Sequence, residues 1–468
     1  SELIQSAAPP PPEHRLQVHL EALQCHFTWD LDSSRSRLLR LCDNLTDIGS
    51  EEGYVWLGHI YNLQGFIHHQ LGDCDHALRF FSRAAEAFRQ IRNTVSDQGP
   101  WLVVNYGNLA WLHHHLGEPA QSRRYLLKVD ELMSEHPPPE QHDLHPDVYA
   151  EKAWTLMKFG RSPAAADLFQ SAIRMQPDHV EWCSSRVLAL VQAAPTLDDD
   201  IIDRMRIAKA HDPENLYLTA LHLEALASRG QNVESEAREL ATRVLKKPAS
   251  SYSGIRPLLR LYTMKISTSD ATDLAEEALQ RHPDHRYLKD CAAHCYNKRI
   301  LLDRDQDQDR PNQSLVDRAI SLFKDVIALY PDSSLKRKIS LANIYAKTNT
   351  NLAEGQQIFD DLLRTDLDPE EAQMVYNYYA KFLHFYMNRS DESIRFHMAA
   401  AEIRPLTFYG EHSLRTLERI RDRNRNQRCP EILSSSELEQ IRTFLDTFNC
   451  SFIFLINVAL FGVVFSAG

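Results

Sequence analysis

The sequence predicts an all-α fold, a superhelical solenoid of about nine helix-pair units, and three observations predict it. Prolines recur at a near-constant interval: Pro177, Pro213, Pro248, Pro283, Pro331, Pro369 and Pro405, with gaps of 36, 35, 35, 48, 38 and 36 residues. Small and apolar residues precede several of these prolines at helical spacing. Glycine is scarce, with 15 in 468 residues, and no run of alternating β-branched residues reaches strand length. With 43% hydrophobic residues the chain can bury a large core, yet it is too long for one compact domain.

Each proline can stop one helix and help start the next, and most are flanked by an acid: Pro177-Asp178, Asp212-Pro213, Pro283-Asp284, Pro331-Asp332, Asp368-Pro369. Ala165, Phe169 and Ala172 come before Pro177, Ala271, Ala275 and Ala278 before Pro283, and Ala319, Phe323 and Val326 before Pro331. Steps of three and four put each set on one helix face, and the alanines let helices approach closely. This pattern resembles the tetratricopeptide consensus, whose period is about 34 residues. Upstream, Gly65, Gly72, Ala77, Phe81 and Ala84 fit the same consensus, and Ala110 with Gly117 and Ala153 with Gly160 begin further copies. The long proline gap marks an insertion, the charged segment Asp303 to Gln313 between the two helices of one unit. A single repeat cannot bury its apolar face. Stacked repeats bury a continuous core and usually bind ligands on the inner side, which the first helix of each unit lines.

The predicted organisation is a disordered lead over 1–14, repeats over 15–250 that carry the binding pocket, further repeats over 251–449, and an apolar tail over 450–468. The first residues do not read as a signal peptide, and none is expected. The stretch Ser451 to Gly468 has 18 residues, the lower limit for spanning a bilayer, so a membrane is a partner only if this tail inserts. Eight scattered cysteines read as free thiols of a cytoplasmic protein, and Cys291 with Cys295 lack zinc-finger spacing. No Walker loop, nucleophile elbow or HExxH segment is present, so no enzyme, catalytic residue, metal or cofactor is expected. The net charge of −12 repels nucleic acid on average, so an RNA site must be a local basic surface.

The inner stripe supplies one. Placed on the repeat frame it holds Arg256 and Arg260, Arg286 and Lys289, Lys336 and Lys347, and Lys381, with Trp154 one turn before Lys158. Acids are fewer, Asp147 and Glu181, and His59, His69, His114 and His115 line the first two units. A cavity lined with Lys and Arg is an anion receptor, and an indole beside an ammonium suits a base next to a phosphate. Against this stands the plainer reading, in which each lysine is solvated and Trp154 is core.

The segment Cys25-His26-Phe27-Thr28-Trp29 resembles the opening signature of the interferon-induced proteins with tetratricopeptide repeats. Tyr106 to Trp111, Lys152-Ala153-Trp154, Lys158-Phe159-Gly160 and Leu341 to Ala346 match later repeats, and the resemblance runs from about residue 16 to 447. It implies binding to the 5′ end of viral single-stranded RNA carrying a triphosphate or an unmethylated cap, and restraint of its translation or replication. It implies that Trp154 stacks on the cap, that Lys158 contacts phosphate, that Glu181 and Leu188 sit in the cap pocket, and that Arg256 and Arg260 hold the backbone. Arg40 and Asn44 fall near the phosphates. Three departures are visible: Gln192 stands for a triphosphate-binding arginine, Ser162 for a tyrosine, and Asp290-Cys291 for a His-Gln pair. Losing the arginine costs a bidentate clamp worth about 1.5–3 kcal/mol. Other family members or signalling proteins are further expected partners. The competing reading is a protein-interaction scaffold of innate immune signalling, whose concavity holds acidic peptides.

Overall fold

The computed structural model describes residues 12–49, 55–92, 98–139, 143–302, 312–425 and 439–445. Residues 1–11 of the expected lead, 303–311 of the charged insertion and the whole apolar tail lie outside them. Among the described residues every regular element is helical. Two helices open the chain, α1 (Pro12–Glu21) and α2 (Arg35–Ile48). Residues 12–14, expected in the disordered lead, are therefore helical: proline suits the first helical position, and Glu13 sits at the positive end of the dipole.

Nine successive pairs follow: α3 (Leu57–Gln70) and α4 (Cys74–Arg92), α5 (Val103–His115) and α6 (Pro119–Glu135), α7 (Pro146–Lys158) and α8 (Ser162–Met175), α9 (Val180–Ala193) and α10 (Asp199–His211), α11 (Leu216–Ser228) and α12 (Glu234–Val244), α13 (Ile255–Leu261) and α14 (Thr268–Arg281), α15 (Arg286–Leu302) and α16 (Gln313–Leu329), α17 (Leu335–Lys347) and α18 (Leu352–Leu363), α19 (Pro369–Tyr386) and α20 (Ser390–Glu402). A further helix, α21, covers Phe408–Arg425, and the described residues 439–445 are helical as well. Each of the seven prolines of the beat lies just past the second helix of a pair, or opens the next, as expected.

The turn inside a pair has its own chemistry. After α3, Gly72 takes φ +87°, its N–H donates to His69 O at 2.9 Å, and the Asp73 N–H donates to His68 O at 2.8 Å. This left-handed residue satisfies the last carbonyls of α3 and reverses the chain, a conformation glycine adopts at little cost. Asn349 and Asn388, at φ 51° and 55°, do the same after α17 and α19.

The helices divide into two compact units, Ser1–Cys295 and Tyr296–Gly468, further along the chain than the predicted division at 250/251. In the first unit one apolar core runs from Leu16 to Ala189, with Phe81 and Phe88 fully buried against the glycine-bearing face of α3. In the second, Phe359, Phe382 and Tyr379 form the core of α18 and α19. There the buried Gln373 accepts from the Thr407 and Gly410 N–H groups and donates to Ile403 and Pro405 O, which fixes the chain entering α21.

The Cys25–Trp29 segment is a wedge in this architecture. Its 3-10 turn sends His26 into the core, 1% exposed, where the His26 N–H donates to Asn108 Oδ1 at 3.1 Å. The ring nitrogens face Asn108 Nδ2 at 3.0 Å and Thr155 Oγ1 at 3.2 Å. Burial lowers the imidazole pKa to about 3, so the ring is neutral. Phe27 packs edge-on to Phe66 and stacks on Trp111, and the Trp111 indole N–H donates to Leu20 O. One short segment thus joins α3, α5 and α7, and Trp111 links α5 to α1.

A second buried network crosses the same helices. Asn105 Nδ2 donates to Asn62 Oδ1 and to Phe81 O, 2.8 Å each, and Asn62 Nδ2 donates to Glu151 Oε1 at 2.8 Å. Glu151 is 2% exposed, and burial pushes its carboxyl up to about 8, with nearby Asp147 adding and the Asn62 hydrogen bond opposing. The folded state therefore keeps a proton that the unfolded chain gives up near pH 4.5. The stability this group contributes is complete below that pH and is lost as pH rises toward about 8. Glu151→Gln keeps the acceptor without the titration. Thermal unfolding at pH 5 and pH 8 should show the variant losing less stability across this interval than the parent, by on the order of 3–5 kcal/mol.

Candidate nucleic-acid interface

In the first unit α2 is tied at both ends. Arg37 donates to Phe159 O at the end of α7. At the other end Arg286 of α15 donates to Asp47 Oδ1 through Nε and to Asp43 Oδ1 through Nη1, 2.8 Å each, and the Ser251 N–H donates to Asp47 O at 2.8 Å. Residues more than two hundred positions apart in sequence are thereby joined. The segment before α13 reaches α2 because Gly254, at φ +89°, lets the backbone lie on α11, where an added Cβ would sit 2.8 Å from Leu216 O.

That segment delivers Tyr252 to Lys158. The ammonium lies 4.9 Å from the Trp154 ring centre and 4.6 Å from that of Tyr252, and it donates to the Tyr252 hydroxyl. Burial lowers its pKa to about 7, so near neutral pH the amine is poised between its charged and neutral forms. Trp154 is 1% exposed and stacks on Trp56 with ring centres 5.9 Å apart. Its indole is part of the core in this conformation, because Trp56, Lys158 and Tyr252 cover it.

From Tyr252 the run continues. Tyr217 lies 6.0 Å from it, and burial raises the Tyr217 hydroxyl pKa, with Tyr252 adding and Arg260 and Arg256 opposing. Arg260 grips Glu224 with two N–H groups, and Arg256 pairs with Asp290 while its guanidinium lies 4.7 Å from the Tyr287 ring centre. Aromatic rings and cations thus alternate from α7 to α15.

The structure brings together four of the eight nominated residues, Trp154, Lys158, Arg256 and Arg260. The other four have different surroundings. Glu181 pairs with His179 at 3.3 Å, Leu188 packs beside Val187 and Met205, Arg40 Nη1 donates to Ser36, and Asn44 is exposed on α2. Of the cations expected on the inner stripe, Arg256, Arg260 and Arg286 all carry carboxylate partners. Those partners come from neighbouring helices or from far along the chain, where a single-helix frame does not look. Further along, Lys347 Nζ donates to Leu301 O, and Lys381 lies over Tyr378. Gln192 and Ser162 prove to be partners: the serine hydroxyl donates to Gln192 Oε1 at 3.1 Å. A neutral contact thus joins two of the positions that depart from the family pattern. Sequence reading missed Trp56, Tyr217, Tyr252 and Tyr287. Tyr252 lies in a loop outside any helical register, and the others are ordinary core aromatics until their neighbours are known. Cys25, Cys42, Cys74, Cys183, Cys291 and Cys295 are free thiols, as expected.

No family model matches the chain. Among curated proteins it is 26% identical over 447 residues to mouse interferon-induced protein with tetratricopeptide repeats 2, covering 92% of this chain and 91% of that protein. It is 22% identical over 443 residues to the human antiviral innate immune response effector IFIT1, covering 91% of each. Over about nine tenths of its length the chain is thus similar to interferon-induced proteins with tetratricopeptide repeats. Its fold is shared with the solved human IFIT1 dimer with PPP-AAAA, at a TM-score of 0.63 and 22% identity, covering 93% of this chain and 96% of that one. The tetratricopeptide-repeat solenoid expected from the proline beat is therefore a fold shared with that structure.

Two substitutions test how the interface is held. Trp154→Ala removes a fully buried indole and should destabilise the folded chain by about 3–5 kcal/mol in denaturant unfolding. Arg286→Ala removes this cation from the buried Asp47. It should cost about 3 kcal/mol and increase amide hydrogen exchange in α2 more than in α5.

Proposed function

We propose that this chain is an interferon-induced antiviral RNA-binding protein of the cytoplasm, without catalytic activity of its own. It recognises the 5′ end of viral single-stranded RNA, a triphosphate or an unmethylated cap, and restrains its translation or replication. The observation that carries the reading is the run of rings and cations from Trp154 through Lys158, Tyr252 and Tyr217 to Arg260 and Arg256. Stacking surfaces interleaved with positive charge are what single-stranded nucleic acid requires, because every base has a π-face and every linkage a phosphate. The solved human IFIT1 with PPP-AAAA supports the ligand class.

In this reading the terminal base or cap takes the place against Trp154 and Tyr252 that the Lys158 side chain fills in the free protein. The displaced ammonium meets the first phosphates. Arg256 and Arg260 exchange Asp290 and Glu224 for the following backbone, and Glu181, Leu188, Arg40 and Asn44 complete the contacts. With Gln192 in a neutral hydrogen bond to Ser162, Lys158 carries more of the discrimination between phosphorylated ends.

Phosphate contact favours charged Lys158, so binding takes up a proton wherever the free amine is neutral. Affinity for a 5′-triphosphate RNA should be flat below about pH 7 and fall above it, by up to tenfold per pH unit, while a 5′-hydroxyl RNA of the same sequence changes little. Lys158→Met should abolish this slope and most of the preference for phosphorylated ends. The measurement is equilibrium binding of matched RNAs with 5′-hydroxyl, monophosphate, triphosphate and cap ends at pH 6.5 and 8.5. Equal affinity for all ends, or tighter binding of an acidic peptide that RNA does not displace, would favour the protein-scaffold reading instead.

A further inference from the structure

We propose that the turn between α3 and α4 is a divalent transition-metal site of the zinc class, with His68, Asp73 and His76 as its ligands. One ring nitrogen of each histidine and one Asp73 carboxylate oxygen all lie within 4.8 Å of one another. His76 Nδ1 is 2.7 Å from Asp73 Oδ2, and His68 Nδ1 is 3.8 Å from it. Donors around a tetrahedral zinc at ~2.0–2.2 Å stand ~3.3 Å apart, so side-chain rotations that shift the donor atoms by about an ångström close the set.

The three side chains are oriented before any ion arrives. Asp73 follows the left-handed Gly72, and its Oδ1 caps α4 by accepting the His76 N–H at 3.1 Å. The cap engages one carboxylate oxygen and turns the other toward both imidazoles. The His68 ring is held flat against Phe80, 5.1 Å between centres at 19°, and its Nε2 lies 3.9 Å from the Cys42 sulfur of α2. That contact holds the far edge of the ring and leaves Nδ1 facing Asp73, the arrangement that orients a metal-binding histidine. His76 stacks on His68 at 24°. Two imidazoles and one carboxylate suit a borderline cation, whereas magnesium and calcium take oxygen donors. The side chains are 21%, 40% and 52% exposed, so a fourth position opens to solvent and takes a water.

The spacing, a histidine, then an aspartate five residues on and a histidine three further, bridges a helix end, a turn and a helix start, so neither a one-helix nor a cysteine pattern reveals it. The site lies outside the proposed RNA interface and stands whether or not that reading holds. A plain N-cap with a histidine ion pair would give the same apo contacts, and metal titration separates the two. The full chain, stripped of metal by a chelator, is titrated with zinc chloride by calorimetry and by thermal shift. The expected result is one high-affinity zinc per chain with a raised unfolding midpoint. Asp73→Asn keeps a good N-cap while removing the carboxylate, and His76→Gln alters an exposed side chain. Each should weaken that event at least tenfold while leaving the helical circular dichroism and the apo midpoint near those of the parent. The proposal is overturned if the parent binds no zinc at micromolar concentration, or if both variants keep the parent's stoichiometry and affinity, which would place the ion on other histidines.

Discussion

Phe81 lies flat against Gly65, and a Cβ added to that glycine would sit 2.6 Å from its ring. Gly58 meets Phe88 at the same distance. The first unit depends on this close approach of α3 and α4. Where one helix offers no side chain and the other a large ring, the axes can come near enough for Ala77 and Ala84 to be fully buried between them. The second unit uses the same device, with Gly355 facing the Phe382 ring. This close approach sets the spacing of the two helices within each of these pairs.

Apolar stacking alone would let neighbouring pairs slide, because one alanine-rich face packs much like another. The buried polar contacts remove that freedom. His26 can satisfy both ring nitrogens only with α5 and α7 in one position, and Asn62 can meet Asn105 and Glu151 only in the same one. Each such group would cost a few kcal/mol if left unpaired in the core, so a wrong register is penalised at several points together. The Cys25–Trp29 signature thus earns its place by architecture: its residues specify the packing of the helices that carry the proposed interface. The same wedge holds α7, and α7 carries Trp154 and Lys158.

The electrostatics of the interface come from placement more than from composition. Lys158 is set among rings with no carboxylate partner among the described residues, and burial brings its pKa down to about 7. Arg256 and Arg260 are already matched by acids, so an incoming phosphate has to compete for them. The three cations are equally charged in the sequence and unequal in the fold. The pairing of Arg286 with Asp43 and Asp47 has another consequence: a cation that looked available for a ligand instead ties α2 to α15.

The sequence by itself determined the helical repeats and their pairing into about nine units, because proline, left-handed turn residues and small-residue spacing act over a few residues and need no distant partner. It also determined which residues of α7 and α13 share a face, so Trp154, Lys158, Arg256 and Arg260 were legible as candidates. Their surroundings were not. That Trp154 is covered by Trp56, that Tyr252 meets Lys158, that Asp290 neutralises Arg256, and that Gln192 and Ser162 bind one another are contacts between residues 30 to about 100 positions apart. Such contacts depend on how pairs stack and where α2 is tied, and the tie itself joins residues over two hundred positions apart. Local periodicity reports the face a residue occupies. Only the packed chain decides what stands opposite that face, and the opposing group sets charge, exposure and pKa.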